Sequence, residues 1–114
     1  PERFAKKTIK TPVFTADIYP TLVDMIWNKD AFQPIDGMSV LKILEGKKTQ
    51  RSESIAFEMG EKHQVIIYDT YKLNRFDENG TIRWELYNLV NDFREQNNLI
   101  NTNHPIAKQL MQKL

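Results

Sequence analysis

The sequence predicts an α+β fold, in which a four-stranded antiparallel sheet is covered by a C-terminal amphipathic helix and preceded by two short helices. Three features predict it. Apolar residues recur at helical spacing over residues 18–27, β-branched and alternating segments separated by turn residues fill 55–87, and helical spacing returns over 105–114. With 114 residues, 40% of them hydrophobic, the chain can bury one modest core, which excludes two large domains. The division expected is residues 1–50 for the leading segment and helices and 51–114 for the sheet and terminal helix.

Each element has its own signal. Tyr19, Leu22, Val23, Ile26 and Trp27 form one apolar stripe, Thr15 or Asp17 can cap the helix, and Pro20 sits in the first turn, where no intrahelical bond is lost; residues 18–27 therefore make a helix with a packing face. Pro34 and Asp36-Gly37 supply turn chemistry to the loop that follows. Ser39 caps a shorter helix whose apolar side is Val40, Leu41, Ile43 and Leu44, and Gly46 stops it. Ile55, Phe57 and Met59 then alternate with Ala56 and Glu58, a polar connection spans 60–64, and Val65 to Tyr68 is β-branched and aromatic. Asp69-Thr70 and Asn79-Gly80 are tight turns leading into strands at 71–76 and 82–87. An Asn-rich loop follows, with room for one helical turn. Thr102 or Asn103 caps the last helix, which has Pro105 in its first turn and Ile106, Ala107, Leu110, Met111 and Leu114 on its apolar face.

Composition narrows the chemistry. Sixteen basic against fifteen acidic residues leave a net charge of +1, which gives no field to draw the chain onto nucleic acid or an acidic membrane. No apolar run approaches the roughly 18–20 residues of a membrane span. Without Cys there is no disulfide, thiolate nucleophile or cysteine metal site. The chain opens on Pro1, not Met, and reads as a processed or trimmed piece. Arg3, Lys6, Lys7 and Lys10 against Glu2 read as a solvated end.

A catalytic constellation is missing. Ser39, Ser52 and Ser54 lie in no G-x-S-x-G elbow, and there is no Gly-rich phosphate loop. His63 and His104 are far apart in sequence without a second ligand at metal spacing, and His104, beside the helix start, reads as solvated. A calcium loop around Asp77–Gly80 fails because Arg75 would occupy its first position and Glu85 falls one short of its last. Asn79-Gly80-Thr81 is a glycosylation sequon, but a hairpin turn demands the same residues. Two polar stretches remain: Glu58, Glu61, Lys62 and His63 around the first connection of the sheet, and Lys42, Lys47, Lys48 and Arg51 near the second helix.

Four segments in order resemble the C-terminal part of a formylglycine-dependent sulfatase. Asp17-Ile18-Tyr19-Pro20-Thr21-Leu22-Val23-Asp24 is similar to the family's D-x-x-P-T-L-L-D, Asp36-Gly37-Met38-Ser39-Val40-Leu41 to D-G-x-S-L-x, and Tyr71-Lys72-Leu73 to Y-K-L. Glu85-Leu86-Tyr87-Asn88-Leu89, with Asp92, Glu95, Asn98 and Leu99, resembles E-L-Y-D-L-x-x-D-P-x-E-x-x-N-L. Phe93 replaces the usual Pro and Asn88 an Asp, so the loop after the last strand is expected to differ in shape.

The resemblance implies a parent enzyme that hydrolyses sulfate esters with a formylglycine and a divalent metal, normally calcium, both in a larger N-terminal domain that is the partner of this piece. It also implies a periplasmic, secreted or lysosomal setting. Formylglycine arises from Cys or Ser two residues before a Pro, whereas Lys10, Ile18, Phe32 and Asn103 hold that place here, so no catalytic or metal-binding residue carries over. The expectation is a non-catalytic piece that completes the fold and substrate cleft, with Lys62 and His63 as substrate-contacting residues. The alternative is an independent module that binds an anionic glycan or protein through residues 42–51 and 58–63.

Overall fold

A computed structural model describes residues 4, 6–102 and 104–114. Glu2, Arg3 and Asn103, named above at the charged N-terminus and as a cap, lie outside the described residues. The chain forms two units, the first ending at Glu53 and the second running from Ser54 to Leu114. No described helix is long and apolar enough to cross a membrane.

In the first unit a 3-10 turn at Thr15–Asp17 leads into α1 (Ile18–Trp27), and α2 (Leu41–Leu44) follows a long loop. Asp17 holds this unit together. Its carboxylate is 2% exposed and accepts from the backbone N–H of Phe14 at 3.1 Å and of Met38 at 3.0 Å. It also takes a two-pronged ion pair from Arg51, itself 5% exposed. Thr21 Oγ1 donates to the Asp17 carbonyl at 2.6 Å and accepts from Val40 N–H at 3.0 Å, and Ser39 Oγ donates to Asp24 Oδ2 at 2.6 Å. These bonds turn the polar side of α1 inward, so the apolar stripe of Tyr19, Leu22, Ile26 and Trp27 is exposed, contrary to the packing face expected within the chain. Asp17 occupies the cap position of α1 without making a capping bond, because its oxygens serve Arg51 and the other two N–H groups. Gly37 lies where a Cβ would fall 2.0 Å from the Ala16 carbonyl oxygen, so only glycine permits this approach. The cap position of α2 falls to Val40 and not to Ser39 as expected; Ser39, one residue earlier, spends its hydroxyl proton on Asp24 and accepts from Leu41 N–H at 3.3 Å, and Gly46 follows the helix at φ +76°.

The second unit is the predicted antiparallel meander, in the order β1 (Ile55–Glu58), β2 (His63–Tyr68), β3 (Tyr71–Glu78), β4 (Thr81–Asn88). The two tight turns place Asp69 at φ +53°, Asn79 at +57° and Gly80 at +92°, the left-handed backbone those residues tolerate. One sheet face buries Ile66, Leu73 and Leu86 against Ala107 and Leu110 of α3 (Pro105–Met111), so the terminal helix covers the sheet as expected. The cap of α3 is neither of the residues expected. His104 stands there, its Nδ1 accepting from Ile106 N–H at 3.4 Å and its Nε2 3.1 Å from the Tyr71 hydroxyl, so it is engaged rather than simply solvated.

The segment after β4 is held by side chains that replace a regular ladder. Asn98 Oδ1 accepts from Leu86 N–H at 3.0 Å and Leu99 N–H donates to the Leu86 carbonyl at 2.8 Å, which satisfies part of the open edge of β4. Asp92 accepts from the backbone N–H groups of Gln96 and Asn97, Asn88 accepts from Val90 and Asn91, and Lys72 donates to Glu95 at 2.7 Å. The helical turn for which this loop had room is a 3-10 turn at Ile100–Thr102.

Candidate functional site

The β1–β2 and β3–β4 turns lie at the same end of the meander, and register fixes what that end displays. A two-residue turn at Asn79-Gly80 sets Phe76 opposite Arg83, and the Asp69-Thr70 turn sets His63 opposite Phe76. His63, Phe76 and Arg83 therefore form a row across three strands on one face. The imidazole stacks on the Phe76 ring at 4.2 Å and 20°, and the Arg83 guanidinium lies 4.2 Å from the same ring centroid. Cation and π-face attract, and the ring gives both polar groups an apolar support.

His63 is not in a loop. Its backbone belongs to β2, because polar side chains do not prevent the ladder from forming: the Lys62 carbonyl accepts from Asp77 N–H at 2.8 Å and the His63 carbonyl from Met59 N–H at 2.7 Å. The His63 side chain is partly buried, and Nε2 lies 3.1 Å from Oδ1 of Asn74. Asn74 is 2% exposed and its oxygen can only accept, so Nε2 is the donor in this bond and Nδ1 lies outside it. Lys62 is exposed and donates to Asn79 Oδ1 at 2.9 Å, joining the two turns at this end.

Arg83 is shared between Glu78, at 2.8 Å, and Glu85. These hydrogen bonds, Glu78 foremost, push its pKa up, so it remains a cation. Tyr87 donates its hydroxyl to Glu85 at 3.0 Å; burial, and then Glu85, push the phenol pKa up, so it stays protonated. The row thus presents one fixed cation, one imidazole and two carboxylates already engaged.

Glu58, Glu61, Lys62 and His63 do not converge. Glu58 pairs in register with Gln64 and accepts its amide N–H at 2.7 Å, on the sheet face opposite His63, while Glu61 is an exposed turn residue. Asn74, Phe76 and Arg83 complete the site in their place, and the two turn sequences were the signal that could have found them.

The basic stretch at 42–51 is also broken up. Arg51 is buried on Asp17, Lys47 pairs with Glu45 at 2.8 Å, and Lys42 and Lys48 line a polar cavity of about 410 Å³ that also has Asp24, Asp30 and Glu53 in its wall. Three carboxylates against two ammonium groups make a poor anion site.

Among the described residues no group of three His, Cys, Asp or Glu side chains could hold a metal ion. No Cys or Ser precedes a Pro at the spacing that yields formylglycine. The residues present therefore do not fit either group, and the arrangement around His63 can bind and orient but holds no nucleophile.

No curated protein sequence matches the chain. Among solved structures, BT4656 in complex with its substrate D-glucosamine-2-N,6-O-disulfate is similar at 26% identity and a TM-score of 0.58, over 86% of this chain and 22% of that one. A protein from the core locus with which Bacteroides thetaiotaomicron metabolises multiple glycosaminoglycans, BT33336S-sulf, shares the fold at 18% identity and a TM-score of 0.58, over 84% of this chain and 23% of that one. The chain thus spans less than a quarter of the length of either. The family model for the C-terminal region of N-sulphoglucosamine sulphohydrolase matches residues 1–114, and the chain belongs to that sulfatase C-terminal family.

Proposed function

We propose that the chain is the non-catalytic C-terminal domain of an enzyme that hydrolyses sulfate esters or sulfamates of glucosamine, and that the sheet end carrying Lys62 and His63 forms part of the wall of its substrate cleft. The observation that carries this reading is the division of labour among the side chains. The residues on which the resemblance rests, Asp17, Thr21, Asp24, Ser39, Lys72, Asp92, Glu95 and Asn98, bond within their own unit, whereas His63 is propped by Phe76 and Asn74 with Nδ1 outside that bond.

An imidazole held this way can exchange a hydrogen bond with a sugar hydroxyl through Nδ1, and the Lys62 ammonium reaches an anionic substituent; both contacts lie away from the reacting sulfur. The formylglycine and metal of the parent would supply the nucleophile and the Lewis acid from the larger domain. A sulfated glucosamine is the substrate class because the family description and the ligand of BT4656 both name one.

Replacing Lys62 and His63 together by Ala in the full-length enzyme tests the reading. KM for a sulfated glucosamine should rise about tenfold while a minimal aryl sulfate is turned over as before, since only remote binding is lost. Equal losses on both substrates, or none on either, would remove the cleft role. Burial of Arg51 on Asp17 counts against an independent anion-binding module, because it takes away one of the cations on which that alternative relied.

A further inference from the structure

Asn74 breaks the local rule of the strand that carries it. It lies in the interior of β3, pairs with Val65 on one side and Glu85 on the other, and is buried, a place where a β-branched or aromatic side chain would serve the sheet better. A buried amide is costly unless its polar atoms are bonded, and the bond that Oδ1 makes is to His63. Register explains the meeting. His63 stands opposite Phe76, and Asn74 is two residues from Phe76 on the same face of β3, so it is the diagonal neighbour of His63. Phe76 and Asn74 restrain the imidazole in different ways. Stacking at 4.2 Å fixes the plane of the ring but accepts either of the two orientations related by a half-turn of χ2. Only one of them puts Nε2 3.1 Å from the Asn74 oxygen.

We infer that Asn74 is a positioning residue for substrate binding: by accepting from Nε2 it holds the His63 ring in one orientation, so that Nδ1 is presented to a hydroxyl of the bound sugar. The inference rests on the proposed reading of this sheet end as part of the cleft wall. A ring free to turn over would offer Nδ1 for only part of the time, and ordering it on binding would weaken affinity. The neighbouring cations do not share this task, since Lys62 bonds Asn79 and Arg83 is held by Glu78 and Glu85. Packing alone does not account for the residue either, because Leu has the same branched outline and no polar atom to satisfy.

The test reads the ring first and binding second, both in the full-length enzyme. With isotope-labelled histidine, the ring-nitrogen magnetic resonance signal lost in His63→Ala identifies the imidazole, and in the unmodified protein its Nε2 should carry a proton that exchanges slowly with solvent. Asn74→Leu should speed that exchange at least about tenfold, and Asn74→Asp, which keeps an acceptor, should preserve it. A bare Nε2 in the unmodified protein, or exchange indifferent to Asn74→Leu, overturns the inference. The first of these readings needs no change at Asn74, so a variant that fails to fold does not shield the proposal. For binding, KM for D-glucosamine-2-N,6-O-disulfate is measured in a double-mutant cycle. Asn74→Leu should raise KM about fivefold in the parent sequence and leave it unaltered where His63 is already Ala, a dependence that a merely structural Asn74 would not show. Equal effects in the two backgrounds overturn the inference. Raised KM in His63→Ala with a ring that ignores Asn74→Leu removes the role of Asn74 and keeps the cleft. If His63→Ala itself leaves KM unchanged, the cleft reading falls and takes the substrate role of Asn74 with it.

Discussion

Asp17 shows how one buried carboxylate can be held charged. Burial alone would raise its pKa, but the hydrogen bonds from Arg51, Met38 N–H and Phe14 N–H outweigh that cost and hold the carboxyl below its ordinary value. A carboxylate depressed in the folded state contributes stability above its unfolded pKa of about 4, and that contribution is lost as pH falls through the lower folded value. The Asp17→Asn variant should therefore unfold more easily at neutral pH, by about 3–5 kcal/mol, because Arg51 is left buried without a counter-charge. Its stability should also depend less on pH below about 4 than that of the parent sequence, a difference read from urea melts across the acid range. Gly37→Ala is expected to cost about 1–3 kcal/mol by the same measurement, since the new methyl would meet backbone that cannot swing aside. Neither role was legible beforehand: Asp17 and Arg51 are 34 residues apart, and nothing in either local sequence names the other.

Elements were legible where local signals and global fold agreed. The four strands followed from alternation and from turn residues that require left-handed backbone, as Asp69, Asn79 and Gly80 show. The covering helix followed from one apolar face, and both Leu86→Ala and Leu110→Ala should cost about 2–5 kcal/mol in denaturant melts because the two side chains share one core. A near-zero effect of both would mean that the helix does not cover the sheet. The outward turn of α1 was hidden for a definite reason: periodicity reveals an apolar stripe but not which side of the helix the fold uses, and here Thr21 and Asp24 meet partners 15 to 19 residues further on. The start of β2 was hidden because a strand opening with His63 and Gln64 has the composition of a loop. The row beside it was recoverable in principle, since two tight turns determine every pairing from His63 to Arg83.

At the scale of the whole molecule, the residues on which the resemblance to the family rests are spent on internal structure. Lys72 with Glu95, Asp92 with its two N–H groups and Asn98 on the edge of β4 shape a loop; none of them offers a reacting atom. On the proposed function, the catalytic groups of the parent enzyme lie in its larger domain. The non-catalytic role is tested by incubating the purified 114-residue chain, in buffer where its amide spectrum shows a folded protein, with a sulfated glucosamine and with an aryl sulfate, and measuring sulfate release. Release at the buffer rate is expected for both substrates; turnover above that rate that co-purifies with the chain and survives controls for contaminating enzyme would rule out a non-catalytic domain.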